Sequence, residues 1–239
     1  MRDAIVRSLL DLVYPRVCTA CGVRIRDEPG HVCWDCRTAF QIVVPPFCKC
    51  CGDPVDGQVE HEYTCFACER KAPHFDLARS AARYRGPLRE VLQRFKYSQG
   101  THVEPDLVPL LKACADTHLP VRDVDAVTFV PLYPARERDR TYNQSRLLAA
   151  GLARGLRKPL TARCLKRVRP TSTQTTLTAT ERAENMRGAF ASMNESWIEG
   201  RRFLLVDDVM TTGATVNEAS GALKAGGAAA VYVVTVARG

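Results

Sequence analysis

The sequence predicts an α/β protein in which a parallel sheet with flanking helices is preceded by a small cysteine-rich domain. Apolar strands alternate with helices in the C-terminal two thirds of the chain, and nine of the 11 cysteines fall between Cys18 and Cys68. The net charge of +8 is also concentrated in one part of the chain. We therefore place a domain boundary at residue 72, with residues 1–72 as the first domain and residues 73–239 as the second.

The second domain is predicted from its apolar strands and the helices between them. Strands are expected over residues 125–132, 201–206 and 230–236, and helices over residues 143–156 and 214–225. Strand–helix–strand alternation with strands that are apolar on both faces is typical of a parallel sheet covered on both sides. Ligands of such sheets bind beyond the carboxyl ends of the strands.

The first residues are predicted to form a short amphipathic helix rather than a signal peptide. Ile5, Leu9, Leu12 and Val13 lie on one helical face, charged residues interrupt the apolar positions, and Pro15 ends the helix. No stretch approaches the roughly 20 apolar residues that span a bilayer. We therefore expect a cytoplasmic protein without membrane insertion.

Eight of the cysteines form four Cys-x-x-Cys pairs. Two thiolates three positions apart on a tight turn can both reach one metal ion, and two such turns close a tetrahedral site. We therefore expect two zinc ribbons, each with one structural Zn²⁺. The expected ligands are Cys18, Cys21, Cys33 and Cys36 in the first ribbon, and Cys48, Cys51, Cys65 and Cys68 in the second. An iron–sulfur cluster and redox-active pairs are the weaker alternatives, since redox pairs belong at a helix start inside a βαβ unit.

The cysteine-rich domain is expected to be structural rather than catalytic, because closed thiolate sites leave no open coordination position. A segment of this size with few large apolar groups should need its metal in order to fold. Cys50 is an extra thiol that could exchange with a neighbouring ligand. His31, His61 and His74 could each replace a cysteine ligand, although surface histidine is the simpler interpretation.

The positive charge comes from one stretch of the second domain. Residues 136–187 contain 13 basic and 4 acidic residues, whereas residues 1–72 contain 9 basic and 10 acidic residues. Such a local excess predicts an anionic ligand or partner at that stretch.

The stretch FLLVDDVMTTGATV, residues 203–216, joins a strand to two acids and a hydroxyl-rich loop. Gly213 permits a close backbone approach, and the N–H groups of the following helix, with the threonine hydroxyls, form a cradle for a phosphate group. Carboxylates are anionic and cannot bind that phosphate as well. Asp207 and Asp208 instead suit vicinal hydroxyls, or a Mg²⁺ ion that bridges them. The predicted ligand is a sugar phosphate.

VDDVMTTGAT resembles the motif that binds 5-phosphoribosyl 1-pyrophosphate (PRPP) in type I phosphoribosyltransferases. With the cysteine pairs and the motifs YRGPLREVLQRFKY, VPLYPARERDRTYNQS and RPTSTQTTLTATERAENMRGAF, nearly the whole chain resembles the ComF family. The resemblance implies a double zinc ribbon joined to the parallel sheet of a type I phosphoribosyltransferase. In competent bacteria the family is linked to the uptake of transforming DNA.

The resemblance also implies roles for individual residues. Asp207 and Asp208 would contact the ribose hydroxyls. The rest of the PRPP-binding loop would be Val209, Met210, Thr211, Thr212, Gly213, Ala214 and Thr215, with the 5′-phosphate held from Thr211 to Thr215. Arginines in the loop after the strand at 125–132 would face the pyrophosphate, namely Arg136, Arg138 and Arg140.

A mobile loop from Arg169 to Arg187 would close over the site, with Thr173, Gln174, Arg182 and Asn185 as its working residues. The catalytic group implied in this way consists of Asp207, Asp208, Arg136, Arg140, Gln174 and Arg182. Thr141 departs from the family pattern, which has glycine at this position.

The implied reaction is the displacement of pyrophosphate from C1 of PRPP by a nitrogen nucleophile, assisted by Mg²⁺. The acceptor is not identified by the sequence. Thr211 stands where hypoxanthine-guanine enzymes carry an acid, and Thr cannot serve as a general base at neutral pH. A glutamine amidotransferase would need an N-terminal Cys nucleophile. The first cysteine here is Cys18, inside a metal-binding pair, so we do not expect that activity.

A binding protein is the alternative to an enzyme. It could be a non-catalytic PRPP sensor, or a competence factor that binds single-stranded DNA and works with a DNA-uptake helicase. Against DNA, Tyr142 is the only aromatic residue between Arg136 and Arg187, and base stacking needs aromatic groups. Phe95-Lys96-Tyr97 is the best isolated candidate for a substrate or nucleic-acid contact; it could equally be a helix end at the domain junction.

Overall fold

The computed structural model describes residues 16–25, 28–57, 59, 62–97, 100–171 and 178–239. The helix predicted for the first 15 residues lies outside the described part of the chain. The strands are β1 (Leu77–Arg83), β2 (Ala126–Phe129), β3 (Leu165–Arg167), β4 (Phe190–Ser192), β5 (Arg202–Met210) and β6 (Ala230–Arg238).

The helices flank these strands. They are α1 (Trp34–Thr38), α2 (Phe66–Arg70), α3 (Gly86–Tyr97), α4 (Glu104–His118), α5 (Pro134–Arg140), α6 (Gln144–Leu156), α7 (Ala179–Met186), α8 (Glu195–Ile198) and α9 (Ala214–Ala225). Short 3₁₀ turns lie at Thr101–Val103 and Val121–Asp123.

Four strands form a parallel sheet in the order β1-β6-β5-β2, and β3 and β4 form a separate antiparallel pair. The predicted α/β class with a parallel sheet is therefore confirmed. The helices predicted over residues 143–156 and 214–225 also agree with the structure. Asn143 is the N-cap of α6, where its side chain accepts a hydrogen bond from the Arg146 N–H.

The carboxyl ends of the three predicted strands all differ from the prediction, and β6 continues to Arg238 rather than ending at residue 236. β2 ends at Phe129 rather than at residue 132, since Pro131 has no N–H group to continue the ladder. β5 continues to Met210, so the two acids lie on the strand itself rather than after it. Asp207 pairs with Thr235 of β6, and Met210 pairs with Arg238.

The two faces of the sheet carry different ribbons. On β5, Leu204 and Val206 belong to a core cluster that includes α4, α6 and residues of the first ribbon such as Cys18 and Phe40. The alternate residues of β5 point to the opposite face, as strand geometry requires. They belong to a second cluster with α9 and three cysteines of the second ribbon. Each ribbon therefore packs against its own side of the second domain.

The connection between the ribbons and the start of the second ribbon also cover the edge of the sheet at β1. The Arg83 N–H donates to the Gln41 carbonyl at 2.7 Å, and the Ala78 N–H donates to the Cys50 carbonyl at 2.8 Å. An edge strand would otherwise present unpaired backbone groups. The boundary at residue 72 remains a prediction, and across it the first domain contributes backbone partners to the sheet of the second.

Candidate functional site

The eight paired cysteines lie in two groups of four. Within each group the sulfur atoms lie within 4.8 Å of one another, and the groups are the two ligand sets expected from the sequence: Cys18, Cys21, Cys33 and Cys36, then Cys48, Cys51, Cys65 and Cys68. The Sγ atoms of Cys21 and Cys33 are 3.8 Å apart, and those of Cys51 and Cys65 are 3.6 Å apart. A tetrahedral ion with Zn–S bonds of about 2.3 Å requires similar sulfur separations. The geometry therefore suits structural zinc in both groups.

Backbone N–H groups favour a thiolate at the same position of each ribbon. The Cys33 N–H donates to Cys18 Sγ and the Cys65 N–H donates to Cys48 Sγ, both at 3.3 Å. Burial alone would raise the pKa of Cys18, but hydrogen bonds from backbone N–H groups lower it to about 6. The same balance lowers the pKa of Cys48 to about 7. Each ribbon thus has one thiol prepared to bind a metal as thiolate.

The alternative ligands that the structure describes, Cys50, His31 and His74, lie outside these groups. Cys50 is half-buried, and burial raises the pKa of its thiol. The ring of His31 packs edge-on against His102, with centroids 4.7 Å apart. His74 is exposed. His61 lies outside the described residues, and among those described neither ligand group contains a histidine.

A cavity of about 360 Å³ lies at the carboxyl end of the sheet, where β5 delivers the two adjacent acids. We call these two residues, Asp207 and Asp208, the acid pair. Other residues of this cavity come from α3, α5, α6, β3, α7 and the loop that starts α9; they include Lys96, Arg136, Ser145, Arg167, Arg182 and Thr215. The cavity therefore combines the acid pair with several basic groups from distant parts of the chain.

Asp207 is held by two hydrogen bonds. Its Oδ1 atom accepts from the Ser145 hydroxyl at 2.7 Å and from the Asp208 N–H at 2.9 Å. Burial raises the pKa of Asp207 to about 7, and the charge of Asp208 adds to this increase, while Ser145 and Lys96 oppose it. At neutral pH this carboxyl group can therefore take up or release a proton.

Asp208 has one satisfied oxygen and one that faces a cation. Its Oδ1 accepts from the Val209 N–H at 2.7 Å, and its Oδ2 lies 3.1 Å from Lys96 Nζ. Oδ2 is buried, and among the described residues no group makes a hydrogen bond of ordinary geometry with it. We therefore treat the contact with Lys96 as an ion pair rather than as a hydrogen bond. Burial lowers the pKa of Lys96, but the charges of the acid pair outweigh it and the pKa is raised.

The three arginines expected at the pyrophosphate lie on helix α5 rather than in a loop. Arg136 and Arg140 line the cavity, whereas Arg138 is exposed and is not among its lining residues. Helical periodicity explains this difference. Residues four apart lie on the same face of a helix, whereas the residue midway between them lies on the opposite face. The Arg140 guanidinium lies 4.9 Å from the centre of the Tyr97 ring.

Thr141 ends α5 in the left-handed conformation, with φ of 66°. Glycine adopts this conformation without strain, which accounts for the glycine expected at this position. The departure from the family pattern thus leaves the turn in place and puts a β-branched residue in an unfavourable backbone region.

The loop that starts α9 faces two cavities. Thr211 and Thr215 line the cavity of the acid pair, as does Val209. Thr212, Gly213 and Ala214, with the buried Met210, line a larger neighbouring cavity of about 1080 Å³ that reaches the second ribbon. Gly213 is the N-cap of α9 with φ of 80°, and a Cβ atom there would lie 2.8 Å from the Met210 methyl group.

The mobile loop expected from Arg169 to Arg187 lies only partly within the described residues. Thr173 and Gln174 lie in residues 172–177, outside the described part of the chain. Arg182, on α7, lines both cavities. The Asn185 carbonyl accepts a hydrogen bond from the Arg169 guanidinium at 2.9 Å.

Sequence reasoning did not assign Lys96, Ser145 or Arg167 to this site. Lys96 belongs to the Phe95-Lys96-Tyr97 stretch that the sequence singled out without a definite role, and Ser145 ends the motif VPLYPARERDRTYNQS. Arg167, on β3, is largely buried, and burial lowers the pKa of its guanidinium. In the sequence, the one indication of a role for Arg167 was its position in the basic stretch, residues 136–187.

None of the helices in the described part of the chain is long and apolar enough to cross a membrane.

Comparison with known proteins gives two family matches. Residues 9–69 match the double zinc ribbon domain, and residues 143–239 match the phosphoribosyl transferase domain. Competence protein F of Haemophilus influenzae is 33% identical over 92% of this chain and 96% of its own. The DNA utilization protein YhgH of Escherichia coli K12 is 31% identical over 95% of this chain and 99% of its own.

Among solved structures, glutamine PRPP amidotransferase from B. subtilis shows a partial likeness. It is 22% identical with a TM-score of 0.41, covering 60% of this chain and 30% of that one. A likeness at this level carries no argument about function.

The double zinc ribbon followed by a phosphoribosyltransferase domain, together with the full-length similarity to competence protein F, shows that the chain belongs to the ComF family.

Proposed function

We propose that the cavity of the acid pair binds PRPP and that the protein is a Mg²⁺-assisted phosphoribosyltransferase with a nitrogen acceptor still to be identified. The observation that carries this proposal is the cavity itself, which brings the acid pair together with threonines at the start of α9 and arginines of α5. Lys96 compensates the charge of Asp208, and the remaining lone pairs of the two carboxyl groups can still accept hydrogen bonds from a ligand. A ribose hydroxyl has the required chemistry.

The two charged ends of PRPP have matching partners on either side of the acid pair. The start of α9, with Thr211 and Thr215, would hold the 5′-phosphate through backbone N–H groups and hydroxyls. Arg136 and Arg140 would face the pyrophosphate from the same face of α5. Arg182 would approach from α7. The local excess of positive charge then has an anionic ligand.

In the proposed reaction a C1–N bond forms as the C1–O bond to pyrophosphate breaks, and the bonding electron pair leaves with the pyrophosphate. The acceptor nitrogen then releases a proton. Fixed positive groups stabilise the negative charge that grows on the leaving group, so Arg136, Arg140 and Arg182 form the catalytic group together with the acid pair. Gln174 completes this group from the family resemblance. Arg138, which is exposed, would act only after a rearrangement of α5.

Mg²⁺ bound with PRPP would add positive charge at the pyrophosphate. The carboxylate oxygens of the acid pair are hard ligands of the kind that Mg²⁺ accepts, so they fit an ion that arrives bound to PRPP. We also propose a cytoplasmic location, because cysteines stay reduced there and remain available as zinc ligands.

Calorimetric titration with PRPP in the presence of Mg²⁺ tests the binding site. We expect the double variant D207N/D208N to bind PRPP about 100-fold more weakly than wild type, because both side chains lose their negative charge and one of their two acceptor oxygens. D116N is the matched control, since Asp116 is an exposed acid paired with Lys112 on α4. Equal binding by all three proteins would rule out the acid pair as the PRPP site.

Release of pyrophosphate from PRPP in the presence of candidate nitrogen nucleophiles tests catalysis. An enzyme releases pyrophosphate with a suitable acceptor, and the R136M and R140M variants should release it more slowly. Tight PRPP binding without pyrophosphate release for any acceptor class would favour the alternative, a non-catalytic PRPP sensor.

DNA binding is the second candidate function. Two relatives are named for competence and for DNA utilization, and the two ribbons each expose an aromatic residue directly after a metal-binding cysteine. Trp34 is 65% exposed and Phe66 is 71% exposed. Exposed aromatic side chains suit stacking with unpaired bases, and a helicase of the DNA-uptake machinery would be the matching protein partner.

Fluorescence titration with single-stranded DNA at several salt concentrations tests this second function. Binding through phosphates weakens steeply as the salt concentration rises. We expect W34A/F66A to bind more weakly, and D207N/D208N to bind DNA as wild type does. Binding that disappears in D207N/D208N but survives in W34A/F66A would contradict a ribbon-based DNA site.

A further inference from the structure

Lys96 brings a fixed positive charge into the cavity of the acid pair. It lies in the last turn of α3, with its side chain 21% exposed, and its partner Asp208 has a side chain that is 10% exposed. A lysine so little exposed is costly unless a negative group compensates for the lost hydration. Here the compensation comes from Asp208 at 3.1 Å, with a further contribution from Asp207.

The position of Lys96 is set by the packing of α3. The apolar face of this helix, which includes Leu88, Leu92 and Phe95, is fully buried in the core. The Phe95 carbonyl also accepts a hydrogen bond from the Tyr142 hydroxyl. The helix end therefore cannot move away from β5 without loss of core contacts, and the ammonium group is held at the acid pair.

Two adjacent carboxylates in a cleft would normally attract a divalent cation, since carboxylate oxygens are the preferred ligands of Mg²⁺ and Mn²⁺. A lysine ammonium beside one of them repels such a cation and occupies one of its ligand oxygens. The remaining oxygens are also engaged in part: Asp208 Oδ1 accepts from Val209, and Asp207 Oδ1 accepts from Ser145.

We propose that Lys96 is the resident cation of this site, which keeps a free divalent metal off the acid pair and holds Asp208 in position for the ribose of PRPP. The second half of this proposal rests on the PRPP-binding function proposed above, and the first half does not. Lys96 acts through Asp208 and is therefore a positioning residue. A metal ion would then enter the cavity only in complex with PRPP.

The first test measures Mn²⁺ alone, by electron paramagnetic resonance of the ligand-free protein. K96M removes the charge and keeps most of the aliphatic stem, so we expect it to bind Mn²⁺ about tenfold more tightly than wild type. K96R, which keeps the charge, should behave as wild type. R94M is the matched control, since Arg94 is an exposed basic residue on the same helix and does not line the cavity. K96M/D208N should lose the gained affinity if the acid pair is the metal site.

The second test measures PRPP binding by calorimetry at a fixed Mg²⁺ concentration. We expect K96M to weaken PRPP binding about tenfold and R94M to leave it unchanged. K96M and D208N should not be additive, because both remove the same contact. If wild type binds no PRPP while K96M still gains Mn²⁺ affinity, the PRPP function fails and the metal-exclusion role stands. If K96M matches R94M in both measurements, the proposal is overturned. K96Q replaces K96M if the latter does not fold.

Discussion

The zinc ribbons and the cavity of the acid pair are both built on buried ionisable groups, but they are assembled in different ways. Each zinc centre takes its four ligands from one short stretch, residues 18–36 or residues 48–68. The cavity takes its residues from between Tyr84 and Thr215, on strands and helices that meet only in the folded domain. A closed metal site can thus be specified locally, whereas the cavity of the acid pair depends on the tertiary fold.

The two regions also differ in the direction in which the pKa of a buried acidic group is shifted. Backbone N–H groups surround Cys18 and lower its pKa to about 6, although burial by itself would raise it. Asp207 has hydrogen-bond donors as well, but burial and the adjacent charge of Asp208 prevail and raise its pKa to about 7. The ribbons are prepared for a permanent cation. In the acid pair, burial and the repulsion between the two carboxylates disfavour the negative charge, which a positive group such as Lys96 must balance.

The largest expected effect comes from removal of a zinc ligand. C51S should lose one zinc ion and unfold the second ribbon, because structural zinc supplies folding free energy, about 10–16 kcal/mol in zinc-finger peptides. Zinc content by mass spectrometry and thermal unfolding measure this. C50S is the matched control, since Cys50 lies beside a ligand and outside both groups.

If C50S lost zinc as well, the extra thiol would be a ligand and the assignment of the second group would be wrong. Retention of two zinc ions by C51S would show that Cys50 takes over from Cys51, and the two positions would then be interchangeable.

A smaller effect is expected from the pH dependence of stability. The pKa of Asp207 is about 7 in the folded protein, above its usual value near 3.9, so the folded state binds more protons between these pH values. This group therefore makes the protein more stable as the pH falls from 8 to 5, by on the order of a few kcal/mol. Chemical denaturation at both pH values measures the difference.

D207N should remove this part of the pH dependence and be more stable than wild type at pH 8, because Asn keeps the acceptor oxygen for Ser145 and carries no charge. D116N changes an exposed acid and should leave the dependence unchanged. A pH profile that is the same in D207N and wild type would contradict the raised pKa of Asp207.

The smallest effect is expected at the end of α5. T141G should stabilise the protein by about 0.5–1 kcal/mol, since glycine adopts the left-handed conformation at this position without strain. R157G is a useful comparison, because Arg157 also ends a helix with positive φ. Denaturation midpoints measure both changes. Destabilisation by T141G alone would mean that the Thr141 hydroxyl, which donates to the Arg140 carbonyl, outweighs the backbone strain.

Parts of the fold were hidden from sequence reasoning for a definite reason. β1 was not predicted because Arg79 and Ser80 interrupt its apolar pattern. In the structure the Arg79 guanidinium donates to backbone carbonyls of the second ribbon, and Ser80 contacts Thr235 across the sheet at 2.7 Å. Their polarity is satisfied by partners far away in sequence, which a local pattern cannot reveal.

The sequence by itself determined the α/β class, the two groups of zinc-binding cysteines, and the position of the acid pair before its hydroxyl-rich loop. These features depend on short-range spacing and periodicity, which the chain carries wherever it folds. Only the tertiary structure placed Lys96 and Ser145 on the two acids, turned Arg138 away from Arg136 and Arg140, and packed the ribbons on opposite faces of the sheet. Those features depend on how helices and strands pack against one another, and packing joins residues that no local spacing connects.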